Sequence, residues 1–243
     1  MKRGLLFVSL AAVAILPATG ALAQRGGTVG AGGEVRNFGN QQRDWTNTAA
    51  RTPEGGFLLG NPNARVKVIA YISLTCPECA VFTAQGLPHL VDQVRTGRVS
   101  LEYRNYYRDG VDIAAALLTR CAEPGPYFQM TYNLYREQRN WLGRVNGLTA
   151  EQRQQLTGLT PLQTAERLVP WLGLDAIANR FGVTARERPS CLTQANLDQL
   201  KALHDAGVAA GVNSTPTFFI NGIRQEGATW ATLDPQIRSA LEG

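Results

Sequence analysis

Val66-Lys67-Val68-Ile69-Ala70-Tyr71-Ile72-Ser73 is a short, nearly continuous apolar run rich in β-branched residues. It leads through Leu74 and Thr75 into Cys76-Pro77-Glu78-Cys79. The run suits a buried strand. Pro77 suits the first position of a helix, where its missing N–H would lack a partner anyway and its fixed φ is already helical. Residues 77–95 then read as a helix, kinked at Gly86 and Pro88 and ended at Gly97. Val99 to Tyr106 alternates well enough for a second strand, so the start reads as a strand–helix–strand unit.

This reading puts Cys76 at the helix N-cap. Its sulfur then faces free backbone N–H groups and the positive end of the helix dipole, which favour a thiolate. Cys79 falls one turn further in and is expected to be more covered. Disulfide exchange needs this asymmetry, in which an exposed thiolate exchanges with substrate and a covered thiol resolves the mixed disulfide. Other readings fit less well. Zinc needs a second ligand pair, and the chain offers only His89 and His204 besides its cysteines. Haem attachment needs a histidine after Cys79, where Ala80 stands. A structural Cys76–Cys79 disulfide closes so small a loop that it restrains little chain entropy. Both histidines read as ordinary helix residues, and Phe82 as packing under the motif.

Beyond the unit, strand signals vanish over 111–187. Ile113–Cys121, Tyr127–Trp141, Thr149–Gln155, Pro161–Leu172 and Leu174–Phe181 read as helices. Tyr127, Phe128, Tyr132 and Tyr135 form a helically spaced stripe that reads as core. Cys191 to Ala210 reads as another long helix. Thr217 to Ile220 reads as a strand, Asn221-Gly222 as a type I′ turn, Ile223 to Gly227 as an edge strand, and Ala231 to Leu241 as a final helix. The early strands and the late hairpin fit one sheet, with the helical block interrupting a single α/β domain.

In the other direction, Lys2 and Arg3 precede an apolar run from Leu5 to Leu16, too short to span a bilayer. Ala21-Leu22-Ala23 has the small-x-small pattern of an export cleavage site. Residues 24–56 read as an N-terminal arm, flexible at its glycine-rich start, with Trp45 to Leu59 a candidate edge strand. The 243 residues carry 24 Lys and Arg against 19 Asp and Glu, a net charge of +5. Part of that excess lies in the export signal. The rest is spread without a dense run, which speaks against nucleic-acid binding. The four cysteines are Cys76, Cys79, Cys121 and Cys191. After export, spaced cysteines are expected to be bonded.

The sequence resembles the DsbA-type thioredoxin-fold proteins, exported bacterial thiol–disulfide oxidoreductases. Three stretches carry the resemblance in order: Gly60-Asn61-Pro62, Ser73 to Cys79, and Gly211 to Gly222 (GVNSTPTFFING). The resemblance implies an α/β thioredoxin fold with an inserted helical subdomain. Its pieces are an export signal over 1–23, the arm over 24–56, a first half over 57–110, a helical insertion over 111–187, and a second half over 188–243. It implies Cys76 and Cys79 as the catalytic pair, with Pro77 and Glu78 tuning them and no metal or cofactor. It further implies a cis Thr215-Pro216 bond facing the sulfurs. Thr215, Pro216, Ser214 and Thr75 would bind substrate, and Ser73 and Leu74 would help form the groove rim. Cys121 and Cys191 would form a structural disulfide, one of three possible pairings. Two departures stand out. Glu78 replaces the usual histidine and, as an anion, is expected to disfavour a thiolate. Ala70 stands where many relatives carry a buried glutamate, so proton handling would fall to water or Glu78. A less oxidising, slower protein is expected.

The implied partners are cysteine-containing secreted or periplasmic proteins, and a membrane oxidant of DsbB type or reductant of DsbD type. No nucleic acid is expected among them. The chain reads as a periplasmic monomer and an oxidase. The alternatives are an isomerase or reductase on the same fold, and a non-catalytic copper-binding or chaperone protein. The shortage of methionine, only Met1 and Met130, speaks against copper.

Overall fold

The computed structural model describes residues 43–243. The expected export signal over 1–23 and the glycine-rich start of the expected arm lie outside the described residues. Asp44 caps a 3-10 turn over Trp45–Asn47, accepting the Thr46 N–H at 2.9 Å. Strands β1 (Ala49–Arg51) and β2 (Phe57–Gly60) follow, then β3 (Val66–Ile72). Helices α1 (Pro77–Gln85) and α2 (Leu87–Arg95) lead to β4 (Val99–Asn105). The helical block comprises α3 (Gly110–Thr119), α4 (Pro124–Arg136), α5 (Gln138–Asn146), α6 (Ala150–Gln155), α7 (Pro161–Trp171), α8 (Leu174–Asn179) and α9 (Arg188–Cys191). The chain returns through α10 (Gln194–Ala209), β5 (Thr217–Ile220), β6 (Ile223–Arg224) and α11 (Trp230–Glu242).

The strands form one six-stranded sheet in the order β1-β2-β4-β3-β5-β6. β3 and β4 are parallel and the other pairs antiparallel. This is the expected thioredoxin arrangement, with the helical block set between its two halves. Directly paired residues share a sheet face. The row Phe57, Tyr103, Ala70, Phe218 therefore lines one face. Tyr127 of α4 stacks on Phe57 at 3.6 Å between centroids, and Phe82 of α1 packs on Phe218 at 4.6 Å. On the other face Tyr71 meets Phe219 edge-on, and Gly207 of α10 comes so close to Tyr71 that a Cβ there would collide with its ring. The sheet is thus covered on both sides, which explains the nearly continuous apolar run of β3, broken only at exposed Lys67.

Several boundaries differ from the sequence reading. The 77–95 helix is two helices meeting at Gly86, where a Cβ would strike Phe82 and Trp230. The Tyr127–Trp141 helix breaks at Glu137, whose backbone (φ −97, ψ 7) leaves the helical region. Cys191 does not open the long helix. It ends α9, and Thr193 caps α10 by accepting the Asn196 N–H. The last strand stops at Arg224. The Asn221-Gly222 turn holds as read, with φ 50 and 83 at its two residues. The candidate edge strand over Trp45 to Leu59 is a 3-10 turn followed by two short strands, β1 and β2, which pair antiparallel at the sheet edge. Phe128 is only half-buried and Tyr132 is 36% exposed, so the aromatic stripe is core at Tyr127 and Tyr135 alone.

Cys121 and Cys191 are joined in a disulfide with Cα atoms 5.2 Å apart at a sequence separation of 70. It ties the end of α3 to α9, closing the helical block on itself.

Candidate functional site

Cys76 is the N-cap of α1, with φ −81 and ψ 122, and Pro77 opens the helix behind it. Its thiol donates to the Thr215 carbonyl oxygen at 3.1 Å. The Thr215-Pro216 bond is cis. The loop before β5 therefore lies against the sulfur. Both cysteines are buried, with Cys76 5% and Cys79 1% exposed. The asymmetry expected between an exposed and a covered sulfur is therefore chemical more than steric, because Thr215 and Pro216 shelter Cys76.

The chemical asymmetry is large. The Cys79 thiol donates towards Cys76, and together with the N–H groups of Cys79 and Glu78 and a bond from Thr215 it outweighs burial. The Cys76 thiol is pulled down to about 5. Burial pushes Cys79 well above the usual thiol range, and the neighbouring Cys76 adds to the rise. Glu78, expected to disfavour the thiolate through its carboxylate, acts through its backbone N–H, which favours it. Its side chain is exposed, where water screens its charge. A pH dependence follows. A thiol whose pKa is lower folded than its ordinary value of 9.0 stabilises the fold above that value. The gain is lost as pH falls towards about 5. The reduced protein is expected to lose thermal stability over this range relative to the Cys76–Cys79 disulfide form, which lacks the titrating thiol. Melting temperatures of both forms across pH check this. Iodoacetamide labelling of Cys76 should reach half its maximal rate near the same pH of about 5.

The loop between β3 and the motif is gripped by the helical block. Ser73 and Leu74, expected at a groove rim, are instead 1% and 0% exposed. Asp112, in the first turn of α3, accepts the Ser73 hydroxyl at 2.6 Å, the Leu74 N–H at 2.9 Å and the Arg108 N–H at 3.1 Å. Tyr135 donates to the Ser73 carbonyl at 3.0 Å. Gln138 Nε2 donates to the carbonyls of Leu74 and Cys76, both at 2.9 Å. Burial pushes the Asp112 carboxyl up to about 7 against the pull of its three donors. Thr75 is also buried, its hydroxyl 3.2 Å from that of Ser73. Ser214 is exposed, and its carbonyl accepts the Thr217 hydroxyl at 2.7 Å. Asp112 and Gln138 were not singled out in the sequence, because one looks like a helix-start acid and the other like a surface amide. Replacing Gln138 by leucine strips the Leu74 carbonyl of its side-chain donor. Such a buried loss costs about 1–3 kcal/mol, to be read as a lower denaturant midpoint at unchanged slope.

The two histidines lie away from the sulfurs. His89 stacks on Trp230, and His204 lies against Tyr106 and Tyr107 at 4.4 and 4.3 Å. Among the described residues no cluster of three or more His, Cys, Asp or Glu could hold a metal ion.

A solved protein-disulfide isomerase from Novosphingobium aromaticivorans is 30% identical and superposes with a TM-score of 0.70, covering 76% of this chain and 97% of that one. Alpha-DsbA1 of Wolbachia pipientis shares the fold at 20% identity, with a TM-score of 0.62 over 79% of this chain and 92% of that one. A curated relative from Rickettsia bellii, named provisionally as a protein-disulfide oxidoreductase, is 23% identical over 78% of this chain. The chain spans 66% of that relative's length. A family model described as thioredoxin matches residues 52–239, which runs from β2 into α11 and takes in both cysteine pairs. The chain therefore belongs to the thioredoxin family and resembles its DsbA-type members.

Proposed function

We propose that this chain is an exported thiol–disulfide oxidoreductase that passes a Cys76–Cys79 disulfide to cysteines of secreted or periplasmic proteins. The carrying observation is the unequal pair. Cys76 is held as a thiolate at a helix N-terminus beside the cis-Pro loop, and Cys79 is held as a thiol behind it. A substrate thiolate attacks Cys76 Sγ. The Cys76–Cys79 bond breaks, and Cys79 leaves and takes a proton. A second substrate thiolate then attacks the substrate sulfur of the mixed disulfide. Cys76 leaves as a stable thiolate, the substrate gains a disulfide, and the protein is left reduced by two electrons. Because Cys76 is the better leaving group, the direction of transfer favours the substrate. The Thr215 backbone fits pairing with an extended substrate segment once Cys76 is oxidised and no longer donates to its carbonyl.

Export by residues 1–23, action as a monomer in the periplasm and reoxidation by a membrane oxidant complete this reading. Among the described residues no helix is long and apolar enough to cross a membrane. A second reading, isomerase or reductase kept reduced by a membrane reductant, is favoured by the name of the Novosphingobium relative. Equilibration with glutathione separates the two. A Cys76 pKa of about 5 lies between the values of about 3.5 for a strong oxidant and about 7 for thioredoxin. The expected potential therefore lies between about −270 and −120 mV. A value at the strong-oxidant end, near about −120 mV, would overturn the expectation of a milder protein. A value at or below the thioredoxin end would overturn the oxidase reading. The redox state of the pair in intact cells gives the direction: oxidised for an oxidase, reduced for the alternative.

A further inference from the structure

We propose that Asp112 is a positioning residue for the cysteine pair, setting the rate at which Cys79 displaces a partner bound to Cys76. The inference rests on the oxidoreductase reading. It starts from an otherwise costly feature, a carboxylate 1% exposed whose three donors are a hydroxyl and two backbone N–H groups rather than a cation. Two of those donors belong to Ser73 and Leu74. Ser73 uses every polar group it has. Its hydroxyl goes to Asp112, its carbonyl accepts the Tyr135 hydroxyl and the Cys76 N–H at 3.2 Å, and its N–H points at the Cys79 sulfur. Asp112 therefore holds one of two residues that bond towards both cysteines, the other being Thr215.

The step concerned is resolution. With a partner sulfur bonded to Cys76, Cys79 gives its proton to water and bonds to Cys76 Sγ. The bond from Cys76 to the partner breaks, and the partner leaves as a thiolate. Negative charge developing on Cys79 meets the Ser73 N–H, which Asp112 keeps in place. A role for Asp112 through its charge alone has the opposite sign, since removing a nearby anion would ease ionisation of Cys79.

The test uses the reduced full chain and oxidised glutathione. Cys76 forms an adduct, releasing one glutathione, and Cys79 then displaces the second to close the internal disulfide. Acid quenching and mass measurement give the adduct lifetime in the wild type, Asp112→Asn, Ser73→Ala and the double variant. Ser73→Ala leaves the carboxylate in place and carries the test if Asp112→Asn fails to fold. The adduct is expected to last about tenfold longer in each single variant, the loss of one hydrogen bond to a charged group. The double variant is expected to match the single ones, because both cut the same link. An adduct lifetime at or below that of the wild type, or effects that multiply in the double variant, would overturn the proposal. If the wild type forms neither adduct nor internal disulfide, the oxidoreductase reading itself falls, and this inference with it.

Discussion

Replacing Cys76 by serine is expected to bring disulfide transfer to the uncatalysed background. A hydroxyl cannot form the mixed disulfide, and no other described thiol can take its place. Cys79 is 1% exposed and held well above the usual thiol range by burial, so at neutral pH it is a protonated, shielded sulfur. Cys121 and Cys191 are bonded to each other. The partner variant, Cys79→Ser, should behave differently. It keeps the Cys76 thiolate and the first attack but has nothing to resolve the product, so mixed disulfides accumulate. Regain of activity by a reduced, unfolded cysteine-containing enzyme measures the first effect, and non-reducing electrophoresis the second. Transfer that survives Cys76→Ser would assign the attacking role to another residue.

The second large effect concerns the distant pair. Converting both Cys121 and Cys191 to serine is expected to lower unfolding stability by about 4 kcal/mol. The chain-entropy account gives this for a cross-linked loop of 70 residues. For a domain of this size that corresponds to a melting temperature lower by about 8–16 °C. Cys191 is wholly buried, so a serine hydroxyl there adds a desolvation cost in the same direction. The effect should reach the active site through packing. The bond anchors the end of α3, and the start of α3 supplies Asp112 to the loop before Cys76. Calorimetry of the double variant, with the Cys76–Cys79 pair kept reduced in both samples, isolates the contribution. A change within about 1 kcal/mol would mean that the reduced, unfolded chain is already compact enough to gain little from the cross-link.

Much of this was legible in the sequence because local chemistry and tertiary role agree. β3 reads as a buried strand because it is buried on both faces. The Asn221-Gly222 turn announces itself through two positive φ values. Cys76 reads as an N-cap because Pro77 suits the first helical position directly behind it. What escaped depends on packing. The stretch from Trp45 to Leu59 reads as a single edge strand but folds back on itself as Ala49–Arg51 paired with Phe57–Leu59. Ser73 and Leu74 sit beside the motif in sequence, which suggested the surface, yet the helical block closes over them. Asp112 and Gln138 are polar residues on helices that any solvated face could carry. Only the fold brings them to the back of the cysteine loop. The resemblance named the cis Thr215-Pro216 bond and the Cys121–Cys191 pairing, which residue spacing alone left open. It did not reveal the main source of Cys76 ionisation, which is the neighbouring thiol, joined by local N–H groups that include that of Glu78.

The central claim is that Cys76, and not its neighbour, carries the substrate. The most direct measurement is the site of the covalent link when the Cys79→Ala protein, with Cys121–Cys191 intact, meets a peptide disulfide at neutral pH. Peptide mass mapping after acid quenching is expected to place the peptide on Cys76 in nearly every adduct, with the half-maximal pH of formation raised relative to the intact pair, because the Cys79 thiol that lowers Cys76 most is gone. An adduct on Cys121 or Cys191, or no adduct under conditions where free cysteine reacts, would contradict the account.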